Sequence, residues 1–247
     1  MTTVLEVKGL RKSFGGIAAV DGVDLSLAGG EVRALIGPNG AGKTTFFNLL
    51  TGHLVPDAGT VRFRGEALEG LPPHRIWRRR LARTFQIPAV FPGLTVTENV
   101  QVALVSWAGR TLSLVGRAAG LERARAEALL ERVGLAEQGW RRAGVLAYGD
   151  LKKLEVAIAL ANEPELLLLD EPTAGMAPAE RRALMSLVES IGRAGGLTLL
   201  FTEHDMDVVF AVADRITVLH QGRVIADGAP EAVRADPEVQ RVYLGEL

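Results

Sequence analysis

The feature that most constrains this chain is a glycine-rich segment placed between two regular elements. The apolar run Val32 to Ile36 is typical of a buried strand, and the segment 37–45 that follows it reads GPNGAGKTT. Lys43 to Leu50 then has the pattern of a helix, with Gly52 placed to end it. A strand, a glycine loop and a helix in this order match the P-loop pattern for binding phosphate groups.

The chemistry of the P-loop explains its residue types. Glycines let successive backbone N–H groups turn inward around phosphate oxygens, and the positive end of the following helix points at the same place. Lys43 is placed to bridge the β and γ phosphates, and the Thr44 hydroxyl is placed to ligate Mg²⁺. The predicted nucleotide-binding residues of this loop are Gly37, Pro38, Asn39, Gly40, Ala41, Gly42, Lys43, Thr44 and Thr45.

Two adjacent carboxylates follow a second apolar run. Leu166 to Leu169 predicts a buried strand, and Asp170, Glu171 and Pro172 come directly after it. A P-loop needs a further carboxylate that positions the metal, and Asp170 is the candidate for holding Mg²⁺, directly or through water. Glu171 is the candidate general base for the water that attacks the γ-phosphoryl group. The alternative is an acidic turn that caps the next helix.

The remaining pattern predicts a mainly parallel α/β sheet. Strands and helices alternate in the second half of the chain, while short alternating runs near the start predict an antiparallel β layer. Between these parts, 73–83 has a helical pattern and 83–87 an extended one. The stretches 97–107 and 121–133 predict a mostly helical middle.

Composition excludes several classes of protein. The 247 residues carry 28 basic and 29 acidic side chains, which argues against a dedicated nucleic-acid binder. The absence of cysteine excludes disulfides and thiolate metal sites. The longest aliphatic runs fall far short of the ~18 apolar residues that a spanning helix requires, and Met1 to Lys12 lacks the pattern of a secretory signal. We therefore expect any work at a membrane to need a separate spanning protein.

Five segments together resemble the nucleotide-binding subunits of ATP-binding-cassette (ABC) transporters. They are GPNGAGKTT, RTFQ with Gln86, LAYGD at 146–150, LLLLDEP and TEHD with His204, in the order and spacing typical of that family. LAYGD continuing into LKKLEVA, and the EHDMD segment, are most similar to the ATPase subunits of bacterial branched-chain amino-acid importers. The resemblance implies an α/β P-loop NTPase (RecA-like) core, 1–86 and 165–247, with an antiparallel β subdomain. It also implies an inserted helical subdomain, 87–164, that carries the signature segment.

The same resemblance implies roles for residues outside the P-loop. Phe14 is expected to stack on adenine, although ordinary packing at the end of the first strand is the alternative. Gln86 is expected to reach Mg²⁺ and the attacking water, and to respond to the membrane partner. His204 is expected to hydrogen-bond the γ-phosphate and orient the water, since it follows a strand at the sheet edge where α/β sites lie.

The signature segment departs from the LSGGQ pattern that is usual in the family. Ala147 lacks the serine hydroxyl normally offered to the γ-phosphate of the opposite subunit, so Tyr148 and Gly149 are expected to meet that nucleotide through backbone N–H groups at a helix start. The loop 174–177 lacks the aspartate that many members carry. Two basic runs, Arg78 to Arg80 and Lys152-Lys153, are expected on solvated faces.

The implied function is that of an ATPase subunit, with ATP and Mg²⁺, that dimerises with a second copy or a paralogous subunit. It would drive separate permease subunits at the cytoplasmic face of the inner membrane, importing branched-chain or related hydrophobic amino acids. An extracytoplasmic substrate-binding protein would act indirectly, with no nucleic-acid partner. A soluble ABC-type ATP switch and an ABC ATPase for another cargo remain alternatives. A small-molecule P-loop kinase would leave Gln86, the signature glycine and His204 unexplained.

Overall fold

The computed structural model describes residues 2–109, 120 and 122–244. In chain order the elements are β1 (Thr3–Phe14), β2 (Ile17–Ala28), β3 (Val32–Ile36), α1 (Lys43–Leu50), β4 (Ala58–Phe63), β5 (Glu66–Ala67), α2 (Pro73–Trp77), β6 (Leu81–Thr84), α3 (Val96–Trp107), α4 (Arg123–Arg132), α5 (Tyr148–Ala159), β7 (Leu166–Asp170), α6 (Pro178–Gly195), β8 (Thr198–Thr202), α7 (Met206–Val212), β9 (Arg215–His220), β10 (Arg223–Gly228), α8 (Pro230–Ala235) and α9 (Pro237–Leu244). Position 121, where one helix was predicted to begin, lies outside the described residues.

The strands form two sheets. The antiparallel sheet has the order β2-β1-β4-β5, and the larger sheet has the order β10-β9-β3-β8-β7-β6. From β9 to β6 the larger sheet is parallel, and β10 pairs antiparallel with β9. The register pairs Asp170 with Thr202, so β7 and β8 end side by side. Side chains that follow these two strands therefore meet at one edge of the sheet.

Both faces of the parallel sheet are buried, which explains its continuous apolar runs. Leu166 and Leu168 of β7 pack with Phe46 of α1 and with the antiparallel layer. Leu167 and Leu169 point the other way, into a core shared with α3, α4 and α5. The α/β fold with an antiparallel layer and helices between β6 and β7 agrees with the predicted class. The division at 87 and 165 into two subdomains stays a prediction.

The predicted helix over 73–83 is wrong in its second half. Helix α2 ends at Trp77, Arg80 has φ 69°, and the chain then enters strand β6. Leu81 pairs with Leu166, so a partner more than eighty residues away decides this conformation. Local periodicity carries no information about such a partner.

Candidate functional site

The P-loop connects the centre of the parallel sheet to helix α1. β3 pairs with β8 on one side and β9 on the other, so the loop 37–42 leaves the middle of the sheet. Gly42 caps α1 with φ 106°, a conformation that glycine adopts without strain. A Cβ atom at Gly42 would also overlap the backbone carbonyl oxygen of Ala19 in β2. Glycine therefore permits the close approach of the antiparallel layer to this loop.

Lys43 is buried within the P-loop. Its ammonium group donates hydrogen bonds to the carbonyl oxygens of Gly37 at 2.6 Å and Pro38 at 3.1 Å. Burial lowers the pKa of Lys43, while the nearby carboxylates of Glu171 and Asp170 act in the opposite direction. The ammonium thus lies at the loop and close to Glu171, the predicted general base, and Asp170, the predicted Mg²⁺ residue.

Other predicted nucleotide contacts are accessible. The Thr44 side chain is exposed and Thr45 is half-buried, both in the first turn of α1. Phe14 ends β1 with 47% of its surface exposed, and the Lys12 ammonium lies 5.7 Å from its ring centre. An exposed ring is available for stacking, so the packing alternative for Phe14 is less well supported.

Asp170 is held in place by two donors at the end of β7. Its Oδ1 accepts a hydrogen bond from the Thr202 hydroxyl at 3.1 Å, and its Oδ2 accepts one from Arg83 Nη2 at 2.7 Å. The side chains of Arg83 and Asp170 are only 6% and 7% exposed, so this is a buried ion pair. Sequence analysis missed Arg83, although a charged residue directly after the apolar pair Leu81-Ala82 was a signal.

Glu171 is the centre of a three-residue cluster. Its Oε2 accepts a hydrogen bond from Gln86 Nε2 at 2.8 Å, and its Oε1 lies 2.8 Å from His204 Nε2, which donates because a carboxylate only accepts. Glu171 has φ 47°, and its backbone N–H donates to the Thr202 hydroxyl at 2.9 Å. The structure therefore brings Gln86, Glu171 and His204 together from three separate segments.

A buried glutamate fixes the backbone beside His204. Glu203 is 4% exposed, and it accepts hydrogen bonds from the backbone N–H of His204 at 2.9 Å and from that of Thr173 at 3.2 Å. The Thr173 hydroxyl donates to the same carboxylate. Glu203 thus joins the turn after β8 to the turn after β7. The sequence signal was a charged residue directly after an apolar strand.

The signature residues contact the loop after Pro172. The Tyr148 ring packs on Gly175, and a Cβ atom on Gly149 would lie 3.5 Å from Met176 Cε. Helix α5 begins at Tyr148, and its N-cap, Ala147, makes no side-chain capping bond. The first-turn N–H groups of α5 are thus not capped by the Ala147 side chain.

Next to Gln86 the surface has an apolar groove of about 440 Å³. It lies between α2, β6, α3 and α5, and its lining includes Trp77, Phe85, Phe91, Val102 and Ile158. Phe91 is 55% exposed, and Ile87 in the same loop is 82% exposed. Through residues 2–109, 120 and 122–244, the helices are too short or too polar to cross a membrane.

Comparison with known proteins matches this chain to two family models. The model described as ABC transporter matches residues 20–174, and the model for the branched-chain amino acid ATP-binding cassette transporter matches 223–246. The Escherichia coli (strain K12) protein named high-affinity branched-chain amino acid transport ATP-binding protein LivG is 45% identical, with 98% of each chain covered.

Two solved structures are similar to this fold. The ADP conformation of MJ1267, an ATP-binding cassette of an ABC transporter, has a TM-score of 0.88 and 32% identity, covering 99% of this chain and all of that one. The dimeric, post-hydrolysis structure of the cassette MJ0796 with ADP and Pi has a TM-score of 0.78 and 26% identity, covering 92% and 98%. The predictions of a P-loop NTPase fold and of an ATP-hydrolysing cassette are confirmed. This chain therefore belongs to the ABC transporter family, as one of its ATP-binding cassettes.

Proposed function

We propose that this chain hydrolyses ATP to drive import of branched-chain or related hydrophobic amino acids through separate permease subunits. Similarity to LivG over 98% of both chains supports this cargo, and so does the match of residues 223–246 to a branched-chain cassette model. The observation that carries the hydrolytic part is the placement of Glu171 between Gln86 and His204.

In the proposed mechanism, Glu171 is the general base. Its carboxylate lies at the carboxyl edge of the sheet and accepts two hydrogen bonds, one on each oxygen. Each carboxylate oxygen has a second lone pair, so Glu171 can still accept a proton from water. Gln86 orients the carboxylate, and His204, whose Nε2 donates to Glu171 without nucleotide, would turn this donor to the γ-phosphate when ATP is bound. Lys43 faces the β and γ phosphates from the P-loop.

The residues of the site fit Mg²⁺ bound together with nucleotide. Mg²⁺ prefers hard oxygen ligands and keeps several waters, so few protein ligands suffice. Among the described residues there is no group of three or more acidic or histidine side chains that would hold a metal alone. We propose that the Thr44 hydroxyl and the side-chain carbonyl oxygen of Gln86 would ligate the ion. Asp170 would hold the ion directly or through water, since each of its oxygens accepts one protein hydrogen bond and keeps a second lone pair. The ion would neutralise charge on the transferred phosphoryl group.

We propose two protein contacts. A second cassette, identical or paralogous, covers the nucleotide with its Tyr148–Gly149 helix start. The dimeric state of MJ0796 supports dimerisation as such. A permease helix on the cytoplasmic side of the inner membrane occupies the groove beside Gln86, because exposed apolar rings line it. An extracytoplasmic binding protein would act on the permease without touching this chain.

The proposed cargo is tested with vesicles that contain the permease subunits that co-purify with this chain, with ATP on the cassette side. We expect ATP-dependent uptake of leucine, isoleucine and valine that Glu171→Gln abolishes. Uptake no faster than that of an unrelated solute refutes the cargo. Failure of any membrane subunit to co-purify favours the soluble ATP switch.

The proposed groove is tested with single cysteines at Phe91, which lines it, and at Ile87 in the same loop, in a chain that has no native cysteine. We expect cross-links to the permease in the assembled transporter. A matched cysteine at Trp140, which is 78% exposed but outside the groove, should give none. Equal labelling of all three sites by a water-soluble reagent, without cross-links, counts against the groove.

A further inference from the structure

Lys152 in α5 is buried, and the prediction of a solvated face for it is wrong. Its side chain is 1% exposed, and its ammonium group donates to the carbonyl oxygens of Gln86 at 2.7 Å and Phe85 at 3.3 Å. Lys153, the next residue, is 33% exposed and pairs with Asp150. Of these two adjacent lysines, only Lys152 binds the backbone of the loop that carries Gln86, whereas Lys153 forms a partly exposed ion pair.

Glu155, one helical turn further on, binds backbone N–H groups of the same loop, whereas Lys152 binds its carbonyl oxygens. Its Oε1 accepts a hydrogen bond from the Phe85 backbone N–H at 2.6 Å, and the carboxylate also accepts from the backbone of Ala89. The Lys152 ammonium lies 3.8 Å from Glu155 Oε2. We call Lys152 and Glu155 the loop clamp, because together they bind both donors and acceptors of the loop backbone.

The loop clamp buries two charged side chains, and removing charges from water costs free energy. Burial lowers the pKa of Lys152 and raises that of Glu155, so each charge is disfavoured where it lies. Apolar side chains of similar volume often stabilise a buried site as well as an ion pair does. What an apolar pair cannot supply is hydrogen bonding that fixes the position of a loop backbone.

The side chain at the clamped position is the one that contacts Glu171. Gln86 is bound through its backbone carbonyl to Lys152, and its carboxamide donates to Glu171 Oε2 at 2.8 Å. The chain of contacts runs from α5 through one residue of the loop to the proposed general base. Helix α5 also begins with the signature residues Tyr148 and Gly149.

We propose that Lys152 and Glu155 are positioning residues for ATP hydrolysis, holding the Gln86 loop on the signature helix so that the Gln86 carboxamide stays on Glu171. This inference rests on the proposed roles of Gln86 and Glu171. A movement of α5 on meeting the second cassette would shift the Gln86 loop with it. The loop clamp thus links the dimer contact to the groove and to the catalytic carboxylate.

The test is a double-mutant cycle on the full-length chain, with Lys152→Met and Gln86→Ala. In the parent, Lys152→Met should lower kcat by about tenfold or more, because misplacing a positioning group is costly to rate. The Kd for ATP should change by less than about threefold, since the P-loop is untouched. In the Gln86→Ala background, Lys152→Met should lower kcat by less than about twofold, because the two act through one contact. Lys153→Met is the matched control and should leave kcat near the parental value in both backgrounds.

The outcomes separate this inference from the proposed function. If Gln86→Ala alone leaves kcat unchanged, the role of Gln86 is wrong and the loop clamp inference falls with it. If Gln86→Ala lowers kcat but Lys152→Met changes kcat by the same factor in both backgrounds, the proposed function stands and the inference is overturned. Should Lys152→Met fail to fold, Glu155→Gln takes its place. A loss of kcat that depends on Gln86 then supports the clamp, and an equal loss or none overturns it.

Discussion

Replacing Arg83 with methionine should destabilise this protein strongly, because it leaves a buried carboxylate without its cation. Arg83 pairs with Asp170 at 2.7 Å, and the two side chains are 6% and 7% exposed. Removing one partner of a buried pair costs about 3–5 kcal/mol. At about 2–4 °C per kcal/mol for a chain of this size, we expect Tm to fall by roughly 6–20 °C.

Thermal unfolding of the nucleotide-free chain measures this effect, with two comparison variants. Arg64→Met is the matched control, because Arg64 pairs with Glu165 at 3.0 Å but is 58% exposed, and surface pairs contribute only about 0–1 kcal/mol. Adding Asp170→Asn to Arg83→Met should recover part of the lost Tm, since the buried charge is then gone. The reasoning is refuted if Arg83→Met costs no more than Arg64→Met, or if the double variant melts no higher than Arg83→Met.

Four further predictions concern single residues of the site and the signature helix. Glu171→Gln should keep ATP binding but lose about 10²–10⁴-fold in hydrolysis, with the ATP-bound dimer accumulating in size-exclusion runs; turnover near the parental rate would contradict the general-base role. Ala147→Ser should change ATPase activity by less than about tenfold, because a neutral hydrogen bond contributes about 0.5–1.5 kcal/mol. Gly149→Asp should abolish ATP-driven dimerisation while sparing nucleotide binding to the monomer, and the 3.5 Å approach to Met176 Cε leaves room for the new Cβ; normal dimerisation would contradict the signature assignment. Burial raises the pKa of Glu155 above its ordinary 4.5, so as pH rises this carboxyl group loses its proton in the unfolded chain before it does so in the folded one. The stability of the folded state should therefore fall as pH rises above 4.5, and the Tm of the parent should fall relative to that of Glu155→Gln. Parallel curves of Tm against pH for the two proteins would contradict this.

Features that depend on neighbours in the chain could be read from the sequence. The P-loop is a contiguous strand, loop and helix, and the predicted bounds Val32 to Ile36 and Lys43 to Leu50 agree with β3 and α1. The Asp170-Glu171 pair was recognisable because it follows an apolar strand directly. In both cases the residues that matter lie within a few positions of each other, so local pattern and chemistry suffice.

Features that depend on distant partners were decided by the tertiary structure alone. Strand β6 exists because it pairs with β7, and Arg83 is a buried cation because that pairing brings it to Asp170. Lys152 and Lys153 are adjacent and identical in the sequence, yet one is buried on the Gln86 loop and the other is partly exposed. Burial depends on which surface a helix face meets, and that surface is built from segments far away in the chain. The identity of a residue therefore predicts which interactions its side chain can make. Packing decides whether the side chain makes them with solvent, with backbone groups or with residues of the site.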